Sequence, residues 1–234
     1  MIRKSIIRTM ESTFIVQIPH PAGNGMLTPK GTGFFISGDG YFITAKHVVE
    51  SVSNFTDIRL SRPGNDVRTM VQYPALVKMW DSSDIALLKI DYNLNKDKEF
   101  LKGKSEFSYI EIELDEQIEG TPVYSYGFPL SRVERNGVIA FEFISPRVTS
   151  AIIASRHDLI GPIRSSSDPK FYAIDKALNN GNGGGPIVLT ETGKVISVCI
   201  RPQPVSIRQD QKVSVTVPLL YAITSSLKNI EDYL

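Results

Sequence analysis

The chain has 234 residues, 41% of them hydrophobic, which is enough apolar material for one sizeable double barrel or two small domains. Lys and Arg number 26 against 25 Asp and Glu, a net charge of +1, so no whole-chain attraction to nucleic acid or to an anionic membrane is expected. A single cysteine, Cys199, excludes an intrachain disulfide and with it the disulfide-framed secreted class; a reducing, cytoplasmic compartment is the expectation.

The first ten residues carry charge, and Arg8 falls where a signal peptide needs its apolar core. No later tract runs long enough without charge or proline to span a membrane. Residues 12–18, β-branched and aromatic up to Pro19, read as a strand. Residues 31–37 form a second strand, Ser37-Gly-Asp-Gly40 a hairpin turn, and Tyr41-Phe-Ile-Thr44 the returning strand. Val67 to Val77 and Ile85 to Ile90 read as further strands, separated by the turn-like Asp81-Ser-Ser83. Residues 91–106 are polar, of mixed charge, and read as a surface crossover. A second half begins near Phe107. Residues 121–129 hold a strand, and 138–154 are strand-rich with a break or edge at Pro146. Ser155 to Lys170 reads as a long loop before the strand Phe171 to Asp175. Pro186 to Thr190 and Lys194 to Ile200 read as a hairpin, Val213 to Val217 alternates with a period of two, and Pro218 onward reads as a helix. Short strands at this spacing suit a sandwich or barrel, not βαβ units.

Three stretches carry the chemistry. Gly31-Thr-Gly-Phe-Phe-Ile36 leads through Phe42-Ile-Thr-Ala-Lys-His47-Val-Val49; Asp84-Ile-Ala-Leu-Leu-Lys-Ile90 follows; Gly181-Asn-Gly-Gly-Gly-Pro186 then makes a tight turn into an apolar strand. Together they resemble the chymotrypsin-like serine proteases, most closely the disulfide-free bacterial branch that includes the HtrA-type enzymes. The resemblance implies an all-β fold of two six-stranded antiparallel barrels with a short C-terminal helix. The first barrel would span about 10–95, the crossover 91–106, the second barrel about 107–217 and the helix 218–230. It also implies a serine endopeptidase needing no cofactor and no metal. Its partners would be a protein or peptide substrate and an activating protein, with no nucleic acid and no membrane.

The resemblance assigns the general base to His47, which matches Thr-Ala-x-His-Val, and the orienting carboxylate to Asp84, ahead of an alternating apolar strand. Asp81 is the competing carboxylate but lacks that strand at the right offset. His20 and His157 have no motif around them and read as surface residues. The family has serine where this chain has Gly183, so no Oγ is present to form an acyl-enzyme, and neither Ser165–Ser167 nor Cys199 has the context to replace it. The backbone N–H groups of Gly181 and Gly183 would form the oxyanion hole. Asn182, where digestive relatives have aspartate, cannot pair with a newly cut N-terminal ammonium, so any regulation is expected by another route such as loop ordering or partner binding, with the loops near 129–136 and 155–170 as candidates. Ala177 would floor the specificity pocket and favour an apolar residue there, with Ile200, Arg201 and Pro202 as its wall strand. Arg201 would alternatively favour an acidic neighbour, and Asp175 a basic residue. Two readings of Gly183 stand: a protease disabled at one position, or a natural pseudoprotease that binds peptides.

Overall fold

The structure is a computed structural model and describes residues 2–20, 26–63, 69–136, 139–157, 171–210 and 213–233. It opens with a helix, α1 (Ile2–Ser12). The strands β1 (Thr13–Pro19), β2 (Leu27–Phe35), β3 (Tyr41–Ala45), β4 (Arg59–Arg62), β5 (Thr69–Val71), β6 (Pro74–Trp80) and β7 (Ile85–Ile90) follow, with a one-turn helix α2 (Lys46–Val49) after β3. They form a seven-stranded antiparallel sheet in the order β5-β4-β1-β2-β3-β7-β6. The second half holds β8 (Pro122–Gly127), a β9 (Arg132–Asn136) and β10 (Ile139–Phe143) hairpin, β11 (Arg147–His157), β12 (Phe171–Ile174), β13 (Pro186–Leu189), β14 (Val195–Asp210) and β15 (Val213–Ser226). Six of these close a barrel in the order β11-β12-β15-β14-β13-β8.

The apolar runs of β3 and β7 are continuous, and β2 ends in Phe34-Phe35, because both faces of this part of the sheet are buried. Phe35, Phe42, Ala86, Leu88 and Ile90 face a first core built around Phe14 and Phe107. Their neighbours Phe34, Ile43, Ile85 and Leu87 face the barrel and pack with Tyr124, Val188 and Val198. The first core is aromatic: Phe35 stacks on Phe107 at 4.3 Å and meets Phe42 edge-on at 5.0 Å. Such pairs contribute about 1 kcal/mol each beyond their buried area. Phe107 thus packs with the first sheet, and β8 begins fifteen residues later, at Pro122.

Five expectations are corrected. The first sheet has seven strands and does not close, because β5 and β6 are its two free edges. The helix expected over 218–230 is strand to Ser226 and then a 3-10 helix over Lys228–Tyr233. Ala222 to Ser226 are all buried, since β15 is paired on one side to β12 and on the other to β14, so no alternation marks them as strand. The strand expected over 67–77 is split into β5 and β6, with Tyr73 at φ +61° between them. Residues 129–136, expected as a loop, contain β9. Of the expected loop 155–170, residues 158–170 lie outside the described residues, and Ser155 to His157 belong to β11.

Helix α1 was not expected. It is tied to the barrel by Tyr124, whose hydroxyl meets Ser5 Oγ at 2.5 Å and the buried Thr9 Oγ1 at 2.9 Å. Tyr124→Phe removes that shared partner and leaves the Thr9 hydroxyl buried. The expected loss is about 1–3 kcal/mol, read as a fall in Tm of several degrees; an unchanged Tm would show that α1 docks independently of this bond.

Candidate functional site

The three motifs meet where the sheet faces the barrel. β3 ends at Ala45, and the single turn of α2 begins at once, which brings His47 out of the sheet plane. Asp84 sits in the turn before β7 at φ +54°, a left-handed conformation that Asp tolerates better than most residues. Its carbonyl accepts the Lys46 N–H at 2.8 Å. Its carboxylate accepts the His47 backbone N–H at 3.0 Å through Oδ1 and meets His47 Nδ1 at 2.7 Å through Oδ2. One carboxylate therefore holds both the backbone and the ring of the same histidine. Asp81 instead pairs with Lys46 at 3.0 Å and is 86% exposed.

The Gly181 turn reaches the same point from the barrel. A Cβ built on Gly183 would lie 2.9 Å from His47 Nε2. The Gly183 carbonyl accepts the Thr32 N–H of β2 at 2.8 Å, and the Gly184 N–H donates to the Cys199 carbonyl at 2.7 Å. Gly184, at φ +84°, has no room for a Cβ, which would fall 2.1 Å from the Thr32 carbonyl oxygen. The turn is thus stitched to both halves of the protein through backbone groups.

The Asn180–Gly181 peptide carries a further feature. The Asn180 carbonyl accepts the Leu130 N–H at 2.8 Å. In a planar trans peptide the N–H points opposite to the carbonyl, so the Gly181 N–H is turned away from Leu130. The Gly181 carbonyl is held by Thr32 Oγ1 at 2.6 Å, and Gly181 itself sits at φ +99°, which a side chain would strain. Among the described residues, neither the Gly181 nor the Gly183 N–H donates to a backbone carbonyl. Preorganised, unspent donors of this kind are what a developing oxyanion requires.

The remaining expected residues are placed as follows. Asn182 is buried, with its Oδ1 against the Gly127 backbone of β8. Ala177 is exposed in the segment between β12 and the turn. Ile200 is buried at a bulge in β14, where the β15 register steps from Cys199 to Arg201. Arg201 and Pro202 continue β14 opposite Ile223 and Ala222, and their side chains lie outside the described residues. β13 pairs with β14 only as far as Val198, so among the described residues the β13-side edge of the strand has no ladder partner from Ile200. Asp175 accepts the Ile152 N–H at 2.9 Å and so closes the end of β12. Cys199 is fully buried, and burial pushes its thiol up to about 12, with the nearby Asp84 charge adding to the rise. Such a thiol is a small apolar filler and not a nucleophile. His157 meets Ser155 on the surface of β11, away from any of these groups.

Residue reading missed Thr32, Leu130 and Asn180, which set the turn. Thr32 lies inside the Gly31-Thr-Gly33 motif, but its role comes from a contact with Gly181, 149 residues later in the chain. Beside the turn, Lys30, Phe128, Leu130, Arg132 and Gly181 line a cleft of about 330 Å³. Among the described residues no group of three or more His, Cys, Asp or Glu side chains is placed to hold a metal ion.

Residues 31–198 match the model of the trypsin-like peptidase domain. A probable periplasmic serine endoprotease, DegP-like, of Rhizobium meliloti is 31% identical over 181 residues, covering 76% of this chain and 29% of that protein. An uncharacterized protein, y4bJ, of Sinorhizobium fredii is 28% identical over 181 residues, covering 77% of this chain and 23% of its own length. The chain therefore spans less than a third of the length of these curated relatives. Among solved structures, the HtrA-type protease AlgW with a decapeptide superposes with a TM-score of 0.64 at 17% identity, over 98% of this chain and 65% of that one. The MamO protease domain of Magnetospirillum magneticum does so with a TM-score of 0.61 at 17% identity, over 97% of both chains. At these identities the structures share the fold. The match over residues 31–198 makes this chain a member of the trypsin-like peptidase domain family.

Proposed function

We propose that this domain recognises an extended peptide at the His47–Asp84–Gly183 site and, with glycine at 183, holds it without forming an acyl-enzyme. The carrying observation is the convergence of an Asp84-bound imidazole on the one position that lacks an oxygen. His47 is the general base, Asp84 its orienting partner, and the Gly181 and Gly183 N–H groups the oxyanion donors. The acyl half of the peptide adds along the open edge of β14 at Ile200, Arg201 and Pro202 by β-augmentation. No cofactor enters this scheme.

On this reading the intact machinery belongs to a serine endopeptidase whose nucleophile position is occupied by glycine. A second reading, a peptide-binding module with no catalytic past to restore, draws support from one distance. A Cβ at 183 would stand 2.9 Å from His47 Nε2, closer than such atoms normally approach, so the imidazole occupies part of the space that a serine needs. Active-site labelling separates the two. A fluorophosphonate should leave the chain unmodified and add once to Gly183→Ser. A serine variant that folds and takes no adduct would remove the endopeptidase reading and leave the binding module.

Placement in a reducing compartment rests on the lone cysteine. The relatives named as periplasmic make cell fractionation the measurement that decides it.

A further inference from the structure

The Gly183 turn has two flanks, and only one is used by the acyl half of a peptide. On the other flank β2 runs away from the site, tied to it by the Thr32 N–H bond to the Gly183 carbonyl. β3 pairs with β2 only across residues 33–35, so among the described residues the edge of residues 27–31 that faces away from β1 has no ladder partner. The β1–β2 register also slips here. Val16 faces Gly31 and Gln17 faces Pro29, which leaves Lys30 as the extra residue of a β-bulge. Bulges re-aim the side chain of the extra residue and recur beside active sites.

Lys30 is exposed and has no carboxylate partner among the described residues. It lines the 330 Å³ cleft that reaches Gly181, the oxyanion-donor residue. Ile15, Pro29, Phe128 and Leu130 supply apolar wall. Among the described residues the charged lining side chains, Lys30 and Arg132, are both cationic. The Arg132 guanidinium lies over the Phe143 ring, 4.9 Å from its centroid. The cleft thus joins apolar wall to positive charge, continuous with the site.

We propose that this cleft receives the part of the substrate beyond the scissile bond and selects a glutamate or aspartate there. The inference rests on the peptide-binding reading above. With the reacting carbonyl at the Gly181 and Gly183 N–H groups and the acyl half on β14, the leaving half continues along the unpaired edge of β2. At about 3.3 Å per residue of extended chain, its first or second residue comes level with Lys30. A glutamate lays its methylenes on Pro29 and Leu130 and its carboxylate against the Lys30 ammonium; a lysine there meets like charge.

The test uses the chain as it stands, which needs no catalysis to report binding. Fluorescein-labelled decapeptides with an apolar residue before the central bond, and Glu, Gln or Lys at the two positions after it, are titrated by anisotropy. The Glu peptides should bind about two- to fivefold more tightly than the Lys peptides, the range for one exposed ion pair. Lys30→Glu should reverse the order, and 0.5 M salt should shrink the difference. Lys30→Gln, checked by circular dichroism, should abolish the discrimination while the Gln peptides bind as before. Peptides that bind equally whatever the charge overturn this assignment and leave peptide recognition intact. Failure of every peptide to bind overturns both.

Discussion

Gly183→Ser should raise kcat/KM for peptide hydrolysis by at least ~10³-fold over the chain with glycine. Loss of the nucleophile from a complete triad costs on the order of 10⁶ in kcat, and what survives comes from the oxyanion donors and binding alone. On the proposed reading those surviving parts are retained: the Asn180 carbonyl is held on the Leu130 N–H, which turns the Gly181 N–H away from Leu130, and the Asp84–His47 bond at 2.7 Å is already made. The gain is expected to fall short of the full figure because of one contact. The new Cβ would begin 2.9 Å from His47 Nε2, and the imidazole must yield by a few tenths of an ångström against the Asp84 bond. Asp84 itself moves little, since its carbonyl is tied to the Lys46 N–H and its φ is confined near +54°. The assay is amide turnover on an apolar-residue peptide library, with His47→Ala in the serine background as the control that should abolish the gain. A serine variant no faster than the glycine chain, and still folded, would show that the geometry is retained for binding alone.

The parts of this site that could be read from sequence are those whose partners lie close in the chain. His47 and Asp84 are each announced by the strand beside them, and Gly183 by its glycine-rich turn. The strands bounded by clear turn signals were legible as well: β1, β3 and β7 were placed to within a residue or two, since their ends coincide with Pro19, the Gly38–Gly40 turn and Asp84. What stayed hidden depends on distant contacts. In β15 Ala222 to Ser226 are all buried between β12 and β14, so this end of the strand carries no alternation that would distinguish it from a buried helix. Helix α1 has a single buried polar stripe, Thr9 and Ser12, and its anchor, Tyr124, lies more than a hundred residues away. The substrate-facing residues are the hardest of all. Lys30 is an ordinary exposed lysine until the register slip against Val16 and Gln17 gives it a direction.

In the Gly183→Ser background, Asp84→Asn should lower kcat by about 10⁴, the cost of the wrong histidine tautomer, while leaving the fold intact. The direction follows from the two bonds made by this carboxylate. Oδ1 accepts from the His47 backbone N–H at 3.0 Å and can be replaced only by another acceptor, so the amide oxygen of an asparagine must take that place. Its NH₂ group then faces His47 Nδ1, where Oδ2 now stands at 2.7 Å. A donor in that position requires Nδ1 to be the unprotonated nitrogen, which puts the proton on Nε2, the nitrogen that must accept from the nucleophile. The ring is held as firmly as before but with its proton on the wrong side. Asparagine tolerates positive φ as well as aspartate does, so Tm should stay within about 2 °C, and the loss should appear in kcat with KM nearly unchanged. Asp81→Asn is the internal comparison: its carboxylate pairs with Lys46 at the surface, and its removal should change the rate less than twofold. An Asp84→Asn enzyme within tenfold of its parent, or an Asp81→Asn enzyme as damaged as Asp84→Asn, would move the orienting role away from Asp84.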